Sequence, residues 1–184
     1  MKLLTIDPSM TCTGYAVLEG RPGEQGTIVQ CGCVTTDGST HGTRVNHLAA
    51  QLRALRQEAR PDLVVVETPF ARARGGPKAQ RSAMTLPTYG MAVGAALVVA
   101  YEGGRVVETP SDEWSVGLTK GKRRTGAGVL VADDHKGARV AAVQYFYGVD
   151  LLETWPASKA GNVADAILMG RFVLMRMVRQ GAVA

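Results

Sequence analysis

Aromatic residues make up 5% of this 184-residue chain, and it has three cysteines and three histidines. Three cysteines, Cys12, Cys31 and Cys33, supply no disulfide framework and no four-ligand zinc pattern. They read as buried structural thiols of a reducing compartment, Cys31 and Cys33 sharing one face of a strand. The longest apolar stretch, Met91 to Tyr101, falls well short of the roughly 20 residues of a membrane span. Asp7 and Pro8 interrupt the N-terminal segment too early for the apolar stretch of a signal peptide, so a cytoplasmic location without membrane contact is expected. With 46% hydrophobic residues, 20% charged, 22 Gly and 8 Pro, the composition excludes a disordered chain, a collagen-like repeat and a coiled coil.

What is present is a globular chain with unevenly placed positive charge. Arg72, Arg74, Lys78 and Arg81 form one basic segment; Lys120, Lys122, Arg123 and Arg124 form another. Together they carry +8, more than the net +5 of the whole chain. Solvated surface loops would explain each cluster, but two of them in Gly-rich segments favour a polyanionic partner.

The hydrophobic pattern predicts strands at Lys2–Asp7, Tyr15–Glu19 and Thr27–Val34, an antiparallel meander. A helix over Thr43–Ala59 follows, then a doubly buried strand over Asp62–Glu67. Ala79–Ala100 reads as helical, with Pro87 breaking or beginning a helix. Arg105–Glu108 reads as a strand. Thr109-Pro110-Ser111-Asp112-Glu113 reads as a helix start, and Leu118–Asp134 as a loop. Helices over Lys136–Tyr147 and Val163–Arg179 complete a single domain, residues 1–184. The order implies an α/β architecture: a mixed five-stranded sheet, antiparallel meander first and parallel strands after, with helices on both faces.

Asp7 ends the run Leu3-Leu4-Thr5-Ile6, and Glu67 ends Leu63-Val64-Val65-Val66. If those strands lie parallel, both carboxylates emerge at one sheet edge, where open α/β sheets bind their ligands. Asp165 lies three residues after Asn162, on the same helix face, beside apolar Ile167 and Leu168. Clustered carboxylates raise one another's pKa unless a cation neutralises them, and oxygen donors without His or Cys favour Mg²⁺ or Mn²⁺. Each member also has an ordinary explanation. Asp7-Pro8-Ser9 suits an Asx turn, Glu67-Thr68-Pro69 a solvated strand end, and Asn162 with Asp165 a capping box. Three at once make coincidence harder to sustain.

Ile6-Asp7-Pro8-Ser9 with Thr13-Gly14-Tyr15-Ala16-Val17 resembles the opening of RuvC-type Holliday junction resolvases. Val66-Glu67-Thr68-Pro69-Phe70 is similar to that family's second acidic motif, and Val163-Ala164-Asp165-Ala166-Ile167 to its C-terminal one. The resemblance implies a ribonuclease H-like fold, a homodimer, and nicking of four-way DNA junctions with two Mg²⁺ or Mn²⁺ ions per site. It leaves room for a branch-migration motor as partner. Asp7, Glu67 and Asp165 are then the metal ligands. The family's fourth acidic position falls on Asn162, either a weaker natural ligand or an introduced change that disables cleavage. A cleavage-deficient, branched-DNA-binding dimer is the alternative. Phe70 would wedge against an unpaired base or join the core. Arg72, Arg74, Lys78, Arg81, Lys120, Lys122, Arg123, Arg124, Lys136 and Arg139 would meet phosphates, with Lys136 near the scissile one. His41, His47 and His135 read as surface or structural, and Trp114, Trp155 and Tyr145 as core. The Asp7-Pro8-Ser9 and Thr13-Gly14 segment also vaguely resembles the phosphate hairpin of actin-like kinases, whose second nucleotide loop has no counterpart here.

Overall fold

The computed structural model describes residues 1–69, 77–111, 113–115 and 135–180, without the side chains of 77–86, 135 and 178–180. Five strands, β1 (Lys2–Asp7), β2 (Cys12–Glu19), β3 (Thr27–Thr35), β4 (Leu63–Thr68) and β5 (Arg105–Pro110), form one sheet in the order β3-β2-β1-β4-β5. The first three pair antiparallel, while β1 with β4 and β4 with β5 run parallel. Helices include α1 (His41–Ala59), α2 (Pro77–Tyr101), α3 (His135–Tyr147), α4 (Leu151–Thr154) and α5 (Ala157–Gln180), and residues 111 and 113–115 are also helical. This is the expected mixed sheet. No helix among the described residues is long and apolar enough to cross a membrane.

Strand periodicity divides the core. Leu3 of β1 and Leu63 and Val65 of β4 join the cluster beneath α3, α4 and α5. Leu4, Ile6, Val64 and Val66 join the cluster beneath α1 and α2. Side chains alternate across a strand, so odd residues of β1 and β4 face α5 and even residues face α1 and α2. Both strands are buried on two faces, which is why each lacks polar alternation. The Thr5 hydroxyl donates to the Ala166 carbonyl (2.7 Å), tying β1 to α5. Thr40 caps α1 in a reciprocal box with Thr43.

Five expectations need correction, the first being Tyr145, which is 77% exposed and not in the core. Helix α2 runs through Pro87, which neither breaks nor begins it; Pro87 itself is exposed. Helical residues do begin here, at Ser111, but Thr109 and Pro110 neither cap nor open the helix: they extend β5, paired with Glu67 and Thr68. Proline is tolerated at the end of an edge strand because no neighbour needs its missing N–H. Helix α5 starts at Ala157, six residues before the expected start, so Asn162 lies inside the helix and is no cap. Cys12 and Cys33 are joined as a disulfide, with Cα atoms 5.8 Å apart, in place of the three unpaired thiols the spacing suggests. The register pairs Gly14 with Cys33 and Cys12 with Thr35, making the two cysteines diagonal neighbours on adjacent strands. Cys31 is free.

Candidate active site

The parallel register pairs Ile6 with Val66, so Asp7 and Glu67 come one step later on neighbouring strands. Both are odd-numbered and therefore turn toward the α5 face. Asp165 comes down to them from α5. Relative exposures of 8% for Asp7, 7% for Glu67 and 4% for Asp165 make these the buried charged residues of the described chain. The helix can approach because β2 carries Gly14 opposite Asp7. A Cβ on Gly14 would stand 2.1 Å from the Asn162 carbonyl oxygen.

Burial pushes the Asp7 carboxyl well above its ordinary range, aided by a hydrogen bond to the Glu67 side chain and by the charges of Glu67 and Asp165. Burial also raises Asp165, to about 7, with Glu67 adding and Arg139 and Lys136 opposing. Arg139, on α3, forms an ion pair with Asp165 Oδ2. Asp165 Oδ1 is buried without a partner. Lys136 Nζ donates to Asn162 Oδ1 (2.9 Å), and Asn162 Nδ2 donates to the Cys12 carbonyl (2.7 Å). The amide suits this position, since a carboxylate would set an acceptor against that carbonyl.

Among the described residues, no three His, Cys, Asp or Glu side chains close into a group that could hold a metal ion as they stand. The pieces nevertheless fit a hard divalent cation: an all-oxygen donor set, mutually repelling buried carboxyls, and an orphaned Asp165 oxygen. Tyr89 of α2, which no sequence motif singles out, borders the same site, its hydroxyl pKa raised by burial and by Glu67 and Asp7. An aromatic inside an Ala- and Gly-rich helix is its one sequence signal. Phe70, Arg72, Arg74, Lys120, Lys122, Arg123 and Arg124 lie outside the described residues, as do the side chains of Lys78, Arg81 and His135. Lys136 is exposed beside the site, whereas Arg139 turns inward.

These shifts carry a pH dependence. Unfolded, Asp165 loses its proton near 3.8; folded, it keeps it to about 7. Between those values the folded state binds the extra proton, so stability falls as pH rises through the window and levels above it. Asp7 contributes in the same sense. Calorimetry in chelator should give a higher melting temperature at pH 5.5 than at pH 8, and the reverse order would contradict a buried acid cluster.

A family profile described as "Crossover junction endodeoxyribonuclease RuvC" matches residues 3–112, more than half of the sequence. The chain belongs to the RuvC family. The RuvC of Salinispora arenicola (strain CNS-205) is 34% identical over 110 residues, covering 59% of this chain and 58% of that protein. The RuvC of Synechococcus sp. (strain WH7803) is 39% identical over 71 residues, 38% of this chain and 46% of that protein. The chain thus spans about half the length of the curated relatives it matches. Among solved structures, T. thermophilus RuvC in complex with Holliday junction substrate superposes with a TM-score of 0.67 at 21% identity, covering 100% of this chain and 98% of that one. That likeness shows the shared ribonuclease H-like fold. The RuvC profile takes in β1 through β5, and so both strand-end acids, while Asn162 and Asp165 lie beyond it on α5.

Proposed function

We propose that this chain is a single-domain endonuclease that nicks four-way DNA junctions by hydrolysing phosphodiester bonds. The observation that carries the reading is the convergence of three buried carboxylates at the C-terminal ends of β1 and β4, beneath α5. Asp7, Glu67 and Asp165 would hold two Mg²⁺ or Mn²⁺ ions. Bound there, the ions would supply an activated water and stabilise the leaving 3′ oxygen. The residues of the chain build the rest. Burial by α5 excludes bulk water from the carboxylates, and exposed Lys136 offers a cation to a phosphate at the rim. The basic segments around Arg72–Arg81 and Lys120–Arg124 would follow the junction's backbone, with Phe70 against an unpaired base.

A homodimer belongs to the same proposal. Helix α2 exposes Met91, Gly94, Val98 and Tyr101, spaced three, four and three apart. That is the spacing of a helix–helix seam, and a two-fold pair would present one site to each of two strands. A monomeric mass by sedimentation at assay concentration would refute it.

The test is incubation of a synthetic four-way junction and a matched linear duplex with the protein and Mg²⁺ or Mn²⁺. Nicks confined to the junction are expected. Asn162→Asp should nick no faster, because the N–H donated to the Cys12 carbonyl is lost and the new oxygen opposes that carbonyl. Junction binding without nicking, together with a gain of cleavage in Asn162→Asp, would instead support the branched-DNA-binding dimer.

A further inference from the structure

We propose that Arg139 is an internal counter-cation that holds Asp165 until a divalent cation takes its place, and so sets the cation concentration at which the site loads. This rests on the metal reading above. The Arg139 guanidinium crosses from α3 to α5 to reach one oxygen of Asp165, and its side chain is 18% exposed. A permanent structural pair of these residues would use both guanidinium edges and both carboxylate oxygens. Here the pairing is half made: Asp165 Oδ1 and Arg139 Nε are both buried without partners. Each such orphan is destabilising, so this closed arrangement is not the lowest state available once a better cation is at hand.

Arg139 also has a second place to rest. Its guanidinium lies over the Trp114 ring, 5.0 Å from the centroid, and that contact can retain the side chain after it releases Asp165. An arginine keeps its charge at any working pH. It therefore cannot step aside by losing a proton and has to be displaced, in competition with the incoming ion. Lys136 is no such competitor, being exposed and bonded to Asn162.

The experiment is a Mg²⁺ titration without DNA, using Trp155→Phe protein so that Trp114 is the sole tryptophan. With Arg139 present, Mg²⁺ should shift Trp114 emission as the guanidinium moves. In Arg139→Gln, calorimetry should give Mg²⁺ affinity about tenfold tighter, equivalent to 1.4 kcal/mol, although the metal-free protein melts lower. Arg139→Lys should restore weak binding. A purely structural arginine would give weaker binding along with the lower melting temperature, and that result overturns the proposal. Equal affinity in both proteins overturns it and leaves the metal reading standing. Absence of Mg²⁺ binding in both removes the two together. Unmoved Trp114 emission on saturation of the Arg139 protein also overturns it.

Discussion

Asp7→Asn should abolish junction nicking and at the same time raise the melting temperature of the metal-free protein at pH 8. The two effects have one cause. Asp7 stands beside Glu67 in a buried pocket, its carboxyl pushed up by burial and by that neighbour. At pH 8 the folded chain therefore bears the cost of gathering buried negative charge. An amide of the same shape removes one charge and can still donate to Glu67. Relief of about 1–2 kcal/mol corresponds to several degrees, at about 2–4 °C per kcal/mol for a chain of this size. Catalysis moves the other way. Losing a group that merely supports a metal ligand costs about 10–100-fold, so losing a residue proposed to hold the metal itself should cost on the order of 10³-fold or more. Melting in chelator and nicking in Mg²⁺ check both halves. An Asp7→Asn protein that melts lower and cuts normally would remove Asp7 from the site.

Gly14→Ala should unfold the protein several degrees earlier and reduce nicking at least about a hundredfold. The added methyl would stand 2.1 Å from the Asn162 carbonyl oxygen and 2.4 Å from its carbon. Both are backbone atoms inside a helix and cannot rotate aside. Either α5 lifts from the sheet or β2 bends, and overpacking of this kind costs about 1–3 kcal/mol, here at the upper end or beyond. Asp165 is three residues from the clash, and a shift of about 1 Å at a reacting centre costs on the order of 10² in rate. Gly42→Ala is the control. Its nearest neighbour is Thr40 Oγ1 at 3.9 Å, so an added methyl meets only ordinary contact. Should Gly14→Ala melt and cut like Gly42→Ala, the close approach of α5 to β2 is not what holds the site.

The strand-end acids were legible because the runs before them are short, apolar and doubly buried; such runs end where they must, and Asp7 and Glu67 mark the ends. Their shared direction follows from residue parity once β1 and β4 are parallel. The start of α5 was not legible. Gly161 and Asn162 weaken the helical signal, and the reason for Gly161 is tertiary: a Cβ there would meet Lys136 Cδ at 2.8 Å. Thr109-Pro110 reads equally well as a cap or a strand end, and pairing with β4 decides it. The Cys12–Cys33 link depends on register across β2 and β3, whereas spacing draws attention to Cys31 and Cys33. The Arg139–Asp165 pair left no trace in the order of residues, since 26 positions and a change of helix separate them.

The site draws its acids from opposite ends of the chain, on β1 and on α5, and α5 also supplies much of one face of the core. During synthesis, which adds residues at about 5–20 per second, Asp7 emerges first and waits for some 158 further residues before Asp165 leaves the ribosome. No shorter nascent chain can assemble the constellation, because the helix that brings the last acid also covers the sheet beneath it. Translation itself thus delays any cutting by this protein until the fold can close over its own chemistry.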